Sequence, residues 1–146
     1  REGVGERMLS LPFPEYHVTE KTVAAEVKSW GQDPVSLLPL VGLAGREEDD
    51  PFRLSRGELK RLHLACILAG EHGLLILDDP FCSLDWREKR RVCTLLEQKR
   101  GGITLLFTHE RSILPHVDCC WEIRDGALHL QGEPLEEGRG SEGEAV

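Results

Sequence analysis

An α/β fold built on parallel strands is predicted by two short apolar runs, Leu74-Leu75-Ile76-Leu77 and Ile103-Thr104-Leu105-Leu106-Phe107-Thr108, with a helical segment between them. A strand–helix–strand succession of this length is a βαβ unit, whose strands run parallel and are buried on both faces. A third observation closes the fold. Residues 119–124 and 127–130 flank Asp125-Gly126, the dipeptide of a tight turn, and predict a terminal β-hairpin.

Residues 1–10 are rich in glycine and charge and define no element. From 19 to 30 the pattern is helical, with Val23, Ala24 and Val27 on one face. Asp33-Pro34 starts another helix, Asp as N-cap and Pro in the first turn, but Pro39 and Gly42 break the next stretch into short helical pieces. Residues 46–51 form a charged connector. Ser55-Arg56-Gly57-Glu58 is a capping box. The helix behind it is apolar nearly all round through Leu62, Leu64, Ala65, Cys66, Ile67, Leu68 and Ala69, hence largely buried, and ends at Gly70 and Gly73. Residues 86–99 form a further helix closed by Gly101-Gly102. From about 136 the tail is Gly- and Glu-rich and is expected to be disordered.

The chain has 146 residues and a net charge of −8, room for one domain and one sizeable core. That acidity argues against a nucleic-acid groove, and Lys89-Arg90-Arg91 reads as a solvated helix face. No apolar run approaches the roughly 20 residues of a membrane span. Five cysteines at 66, 82, 93, 119 and 120 form no C-x-x-C pair and read as reduced and cytosolic. Cys119-Cys120 is expected to be a buried strand residue beside an exposed one.

In an open parallel sheet, ligands sit outside the carboxyl ends of the strands. Asp78 and Asp79 end one predicted strand and His109 ends the next, so two carboxylates and an imidazole are expected to share a crevice. Paired carboxylates suit phosphoryl chemistry, one on Mg²⁺ and one orienting or deprotonating the attacking water. The helix capped by Ser55 adds free N–H groups and a positive dipole end, and Gly57 admits close approach of a phosphate. Each feature has an ordinary explanation alone: a turn-forming Asp, a structural His, a well-capped helix. Their joint order and spacing do not.

Together Leu54-Ser55-Arg56-Gly57-Glu58, Leu77-Asp78-Asp79-Pro80 with Ser83-Leu84-Asp85, and Thr108-His109 resemble the second half of an ATP-binding-cassette ATPase. Pro14-Glu15-Tyr16-His17-Val18, Thr22-Val23, Pro51-Phe52-Arg53-Leu54-Ser55 and the stretch from Asp125-Gly126-Ala127 to Gly132-Glu133-Pro134 are similar to the energy-coupling-factor and cobalt-type importer subunits. The resemblance implies a P-loop NTPase-like core with a helical subdomain, about 19–70, and a Walker B-to-hairpin part, 74–132, within residues 1–135. It implies ATP and Mg²⁺ as cofactors. Asp78 would act on Mg²⁺, and Asp79 would stand where the family has its catalytic glutamate. His109 would be the switch histidine and Asp85 the residue of the loop crossing the dimer interface. Ser55, Arg56, Gly57 and Glu58 would form the signature facing the γ-phosphate of a second subunit. The implied partners are that second ATPase subunit, homo- or heteromeric, and integral membrane transporter subunits docking after residue 12. The implied location is cytoplasmic, on the inner face of the cell membrane.

Four departures qualify the likeness. No G-x-x-x-x-G-K-[ST] loop occurs in these residues. Pro12 stands at a glutamine position and has no side-chain donor or acceptor. Asp79 is one methylene shorter than glutamate, and a displacement of about 1 Å can cost roughly 10²-fold in rate. Arg56 replaces the first signature glycine. Two readings result. One is the carboxy-terminal part of a transport ATPase whose phosphate loop lies upstream, with the fold's N-terminal part missing; alone, it would not hydrolyse ATP. The other is a degenerate, non-catalytic cassette that completes the site of an intact partner. A DNA-repair or translation ATPase of the same superfamily is a weaker third. In each case the strands at Leu74 and Ile103 are expected to be central.

Overall fold

The structure, a computed structural model, describes residues 6–131. The expected disordered tail and the Gly132-Glu133-Pro134 segment lie outside the described residues. Two compact units divide the chain, residues 1–115 and 116–146.

In the first unit, strands β1 (Arg7–Ser10), β2 (Leu74–Asp78) and β3 (Ile103–Phe107) form a parallel sheet in the order β1-β2-β3. Between β1 and β2 run α1 (Val23–Ser29), α2 (Pro34–Leu40) and α3 (Arg56–Ala69), with 3-10 turns at Pro14–Tyr16 and Pro51–Arg53. Helix α4 (Trp86–Gln98) connects β2 to β3 and completes the expected βαβ unit.

The helices start where the chemistry places them. Thr22 caps α1 through Ala25 N–H. Asp33 caps α2 through Val35 and Ser36 N–H, and Pro39 is absorbed near the C-terminus of that helix. Ser55 with Glu58 and Asp85 with Glu88 make reciprocal capping boxes on α3 and α4. Gly102 turns the chain into β3 with φ +69°, where a Cβ would lie 2.0 Å from the His72 carbonyl oxygen. Only glycine fits there.

Helix α3 is buried on opposite sides because it separates two cores. Leu59, Leu62, Ala65 and Cys66 face Val23, Val27, Leu38, Val41 and Leu43 of the helical region. Leu64, Ile67 and Leu68 face Leu75 and Leu77 of β2, Phe81, Val92 and Ile113. Full burial of such a side chain contributes about 1.5–3 kcal/mol, so α3 is held from two directions.

Several expectations are corrected. Residues 7–10, read as carrying no element, form β1, paired in register with Leu74 to Leu77. Strand β2 is central, but β3 is an edge strand among the described residues. Neither is buried on both faces. Leu75 and Leu77 are fully buried while Leu74 and Ile76 are half-buried, and Ile103 and Phe107 are 62 % and 51 % exposed. Ile103 and Phe107 of β3 lie on its exposed side, whereas Leu106 packs against the core that holds Leu75 and Leu77. Leu9 of β1 is exposed as well.

In the second unit, β4 (Cys120–Arg124) pairs antiparallel with β5 (Ala127–Gln131), Arg124 opposite Ala127. Asp125 and Gly126 both have positive φ, 53° and 76°, the two-residue hairpin turn that Asp-Gly favours. Cys119 is exposed and Cys120 half-buried, so neither is the buried strand residue expected of the pair. All five cysteines are free.

Candidate phosphate-facing site

Parallel pairing of β2 with β3 sets Asp78 opposite Phe107, so the residues following both strands emerge side by side. Asp79 N–H donates to the Phe107 carbonyl at 2.8 Å and stitches the two strand ends together. Its carboxylate then meets the segment after β3. The Thr108 hydroxyl donates to Asp79 Oδ1 at 3.4 Å, and His109 Nδ1 lies 3.4 Å from Asp79 Oδ2. Asp79 adopts φ +44°, a left-handed conformation that aspartate tolerates better than most non-glycine residues. His109 is 86 % exposed, so its ring projects to solvent beside a carboxylate that is 22 % exposed. Asp78 is exposed at the same strand end.

The segment after His109 is also anchored. Thr108 Oγ accepts from Glu110 N–H at 3.0 Å, and Glu110 accepts from the Lys89 ammonium of α4 and from Ser112. These bonds, that of Lys89 foremost, pull the Glu110 carboxyl down to about 2. Of the predicted solvated basic face, Lys89 is therefore tied down, while Arg90 and Arg91 are exposed.

Beneath the strand ends lies a group that composition alone did not single out. Lys60 is 1 % exposed, and its ammonium donates to the Pro12 carbonyl at 3.0 Å. Burial pushes its pKa down; Cys82, Asp79, Asp78 and Glu15 oppose that shift. A lysine in a helix read as buried nearly all round was the available signal. Beside it, His63 is 4 % exposed, 3.3 Å from Ser10 Oγ and stacked on His17 at 4.5 Å. Burial foremost, then the nearby His17 and Lys60, push its pKa down to about 3.

The signature segment takes a different position. Ser55 Oγ accepts from Glu58 N–H at 3.3 Å, and Glu58 Oε2 accepts from Ser55 N–H at 2.8 Å. Arg46 reaches Glu58 Oε1 at 3.2 Å. The hydrogen bond to Ser55 N–H, with Arg46 and Arg61 adding, holds the Glu58 carboxyl below its ordinary value. Ser55 and Arg56 are exposed and Gly57 half-buried. Among the described residues no hydrogen bond or ion pair joins residues 55–58 to Asp78, Asp79 or His109. The candidate residues thus fall into two groups, the strand ends with Asp78, Asp79 and His109, and the α3 N-terminus with Ser55, Arg56, Gly57 and Glu58. Asp85 lies near the second group through the N-terminus of α4.

No family model matches the chain. Relatives do. The chain is 34 % identical over 122 residues to the energy-coupling factor transporter ATP-binding protein EcfA1 of Thermotoga maritima, covering 77 % of this chain and 47 % of that protein. It is 31 % identical over 149 aligned positions to EcfA2 of Streptococcus agalactiae, covering 92 % of this chain and 52 % of that protein. The chain belongs to the ATP-binding-cassette ATPase family. It spans about half the length of these relatives. The fold agrees. A structure of cbiO1 from Clostridium perfringens, described as part of the ABC transporter complex cbiONQ, superposes with a TM-score of 0.53 at 24 % identity, over 73 % of this chain and 48 % of that one. As in that P-loop NTPase-like fold, the cassette chain here combines parallel strands, helices and an antiparallel hairpin.

For a cassette protein the donor set can be tested against MgATP. Asp78 and Asp79 offer hard carboxylate oxygens at consecutive positions at the end of β2, which suits Mg²⁺. The N-terminus of α3 offers main-chain N–H groups, which suits a phosphate. Both fit. Pro12 contributes no side-chain ligand, and its carbonyl accepts from Lys60.

Proposed function

We propose that this chain serves as an ATP-binding subunit of an importer of the energy-coupling-factor type, coupling ATP binding and hydrolysis in a head-to-tail dimer to substrate uptake. The observation that carries the proposal is the meeting of Asp79, Thr108 and His109 at neighbouring strand ends, with a capped signature helix held apart from them. That separation is what a dimer requires, since each half faces a phosphate from a different side. Bound MgATP would supply the γ-phosphate and a charge-neutralising cation. Asp78 would hold the cation through water. Asp79, its main chain fixed by Phe107 and its carboxylate by Thr108, would orient or deprotonate the attacking water. His109 would contact the γ-phosphate, and Ser55, Arg56 and Gly57 would face the phosphate carried by the second subunit, with Asp85 crossing between them.

Residues 1–135 form a partial cassette domain in this reading, about 19–70 its helical subdomain and 74–132 its Walker B-to-hairpin part. Membrane subunits would dock after Pro12, where Leu11, Phe13 and Tyr16 are exposed and the last two rings pack edge to face at 6.1 Å. Among the described residues no helix is long and apolar enough to cross a membrane. As the ATP-binding subunit of such an importer, the chain would sit on the inner, cytoplasmic face. A net charge of −8 argues against a nucleic-acid partner.

A second reading, the degenerate cassette, is favoured by one observation. Pro12 lacks a side-chain ligand and its carbonyl is engaged by Lys60, so this position offers nothing evident to a catalytic water. Both readings place Ser55 and Gly57 on a partner's nucleotide. The test is ATP-dependent association of the chain with an intact energy-coupling-factor ATPase subunit, measured by sedimentation. Association that needs MgATP and is lost in Ser55→Arg supports the proposal; association indifferent to both overturns it.

A further inference from the structure

We infer that Glu88 is a positioning residue that makes the signature N-terminus and the Asp85 turn move as one unit. A single side chain joins the Asp85 turn to two positions on α3, Gly57 and Arg61. Glu88 N–H donates to Asp85 Oδ1 at 2.8 Å, and Glu88 Oε2 accepts from Asp85 N–H at 2.8 Å. Glu88 Oε1 pairs with the Arg61 guanidinium of α3, with side chains only 20 % and 7 % exposed. A Cβ built on Gly57 would lie 3.0 Å from Oε2 and 3.1 Å from Oε1, so the same carboxylate packs against the signature main chain. Arg61 is itself fixed, because its Nε donates to the Val41 carbonyl at 2.9 Å.

The capping box explains only the Asp85 contacts. An ordinary N3 glutamate is solvated on its free oxygen. Here that oxygen is taken by a buried arginine, and a largely desolvated pair is costly to separate because each partner is left unpaired. Moving the Asp85 turn away from α3 therefore breaks the Arg61 pair, and moving α3 breaks the support of Asp85. The functional weight of this coupling rests on the proposed function, in which both segments face phosphate. The coupling itself does not.

Amide hydrogen exchange on the full 146-residue chain without nucleotide tests it, with each substitution read on the other side of the contact. Arg61→Gln is expected to speed exchange at the Asp85 amide by about tenfold or more, and Arg61→Lys to restore most of the protection. Glu88→Gln keeps the shape of the side chain and is expected to speed exchange at the Ser55, Glu58 and Leu59 amides. Changes confined to the element that carries the substitution overturn the inference, as does an Arg61→Lys variant no better protected than Arg61→Gln. Should Arg61→Gln fail to fold, the Glu88→Gln result alone decides. Because no nucleotide is present, a null result here leaves the phosphate-facing reading standing, and failure of the sedimentation test leaves the coupling standing.

Discussion

Stability should fall as pH drops from 7 to 5, and His63 should be the cause. The ring is buried among Ser10, His17 and Trp30, stacked on one and edge-on to another at 5.9 Å, with the Lys60 ammonium nearby. Its folded pKa is about 3 against 6.5 for an unperturbed histidine. The sign depends on which state binds the proton. Between these values the unfolded chain is protonated at this site and the folded chain is not, so acidification favours unfolding. The stability from keeping His63 neutral is fully present above 6.5 and is lost as pH falls towards 3. The slope approaches about 1.4 kcal/mol per pH unit, or about 2 kcal/mol between pH 7 and pH 5 for this group. Urea unfolding followed by Trp30 fluorescence at the two pH values measures it. In His63→Phe the ring contacts survive and the Ser10 partner is lost, so stability at pH 7 should drop by about 1 kcal/mol while the slope flattens, and the two curves should cross before pH 5. An unchanged slope in His63→Phe would refute the reasoning, because the proton would then be taken up elsewhere.

Three further outcomes are expected. Glu26 is 4 % exposed and accepts from Thr19 N–H, Glu20 N–H and Trp30 Nε1–H, each at 3.0 Å. Glu26→Ala leaves three donors unpaired at about 1–3 kcal/mol each and should unfold the chain or nearly so, whereas Glu26→Gln, which still accepts on one side, should cost about 1–3 kcal/mol by urea titration. Overlapping the acid end of the His63 window, the Glu110 carboxyl held down by Lys89 and Ser112 contributes stability that is present above 4.5 and lost as pH falls towards 2; Lys89→Met should reduce that acid-side loss in the same titration. Gly57→Ala brings a Cβ against the Glu88 carboxylate and should destabilise the chain by about 1–3 kcal/mol on thermal unfolding, and the same change should cost less in a Glu88→Ala background, which is itself destabilised by the unpaired Arg61.

The helices were legible because their signals are local. Ser55 with Glu58 and Asp33 with Pro34 announce helix starts within four residues, and Asp125-Gly126 announces its turn in two. Strand β1 was not legible. Its four residues mix Arg7 and Ser10 with Met8 and Leu9, and its partner is the Leu74 strand, far along the chain. The apolar run of β3 predicted burial, yet apolarity records a face meant for contact and not the element that covers it. At the site, Asp78, Asp79 and His109 could be placed from strand ends alone. The Thr108 contact, the buried Lys60 and the second role of Glu88 depend on how α3 packs beside β1 and α4, which no local pattern encodes.

The most direct test of the trans-completion claim is steady-state ATP hydrolysis by a mixed dimer of this chain with an intact energy-coupling-factor ATPase subunit. Ser55→Arg in this chain should lower the partner's kcat by about 10²-fold or more, the loss typical of removing donors from a developing phosphate charge. Hydrolysis unchanged by Ser55→Arg, in a dimer shown to remain assembled, would contradict the claim that this signature completes another subunit's site.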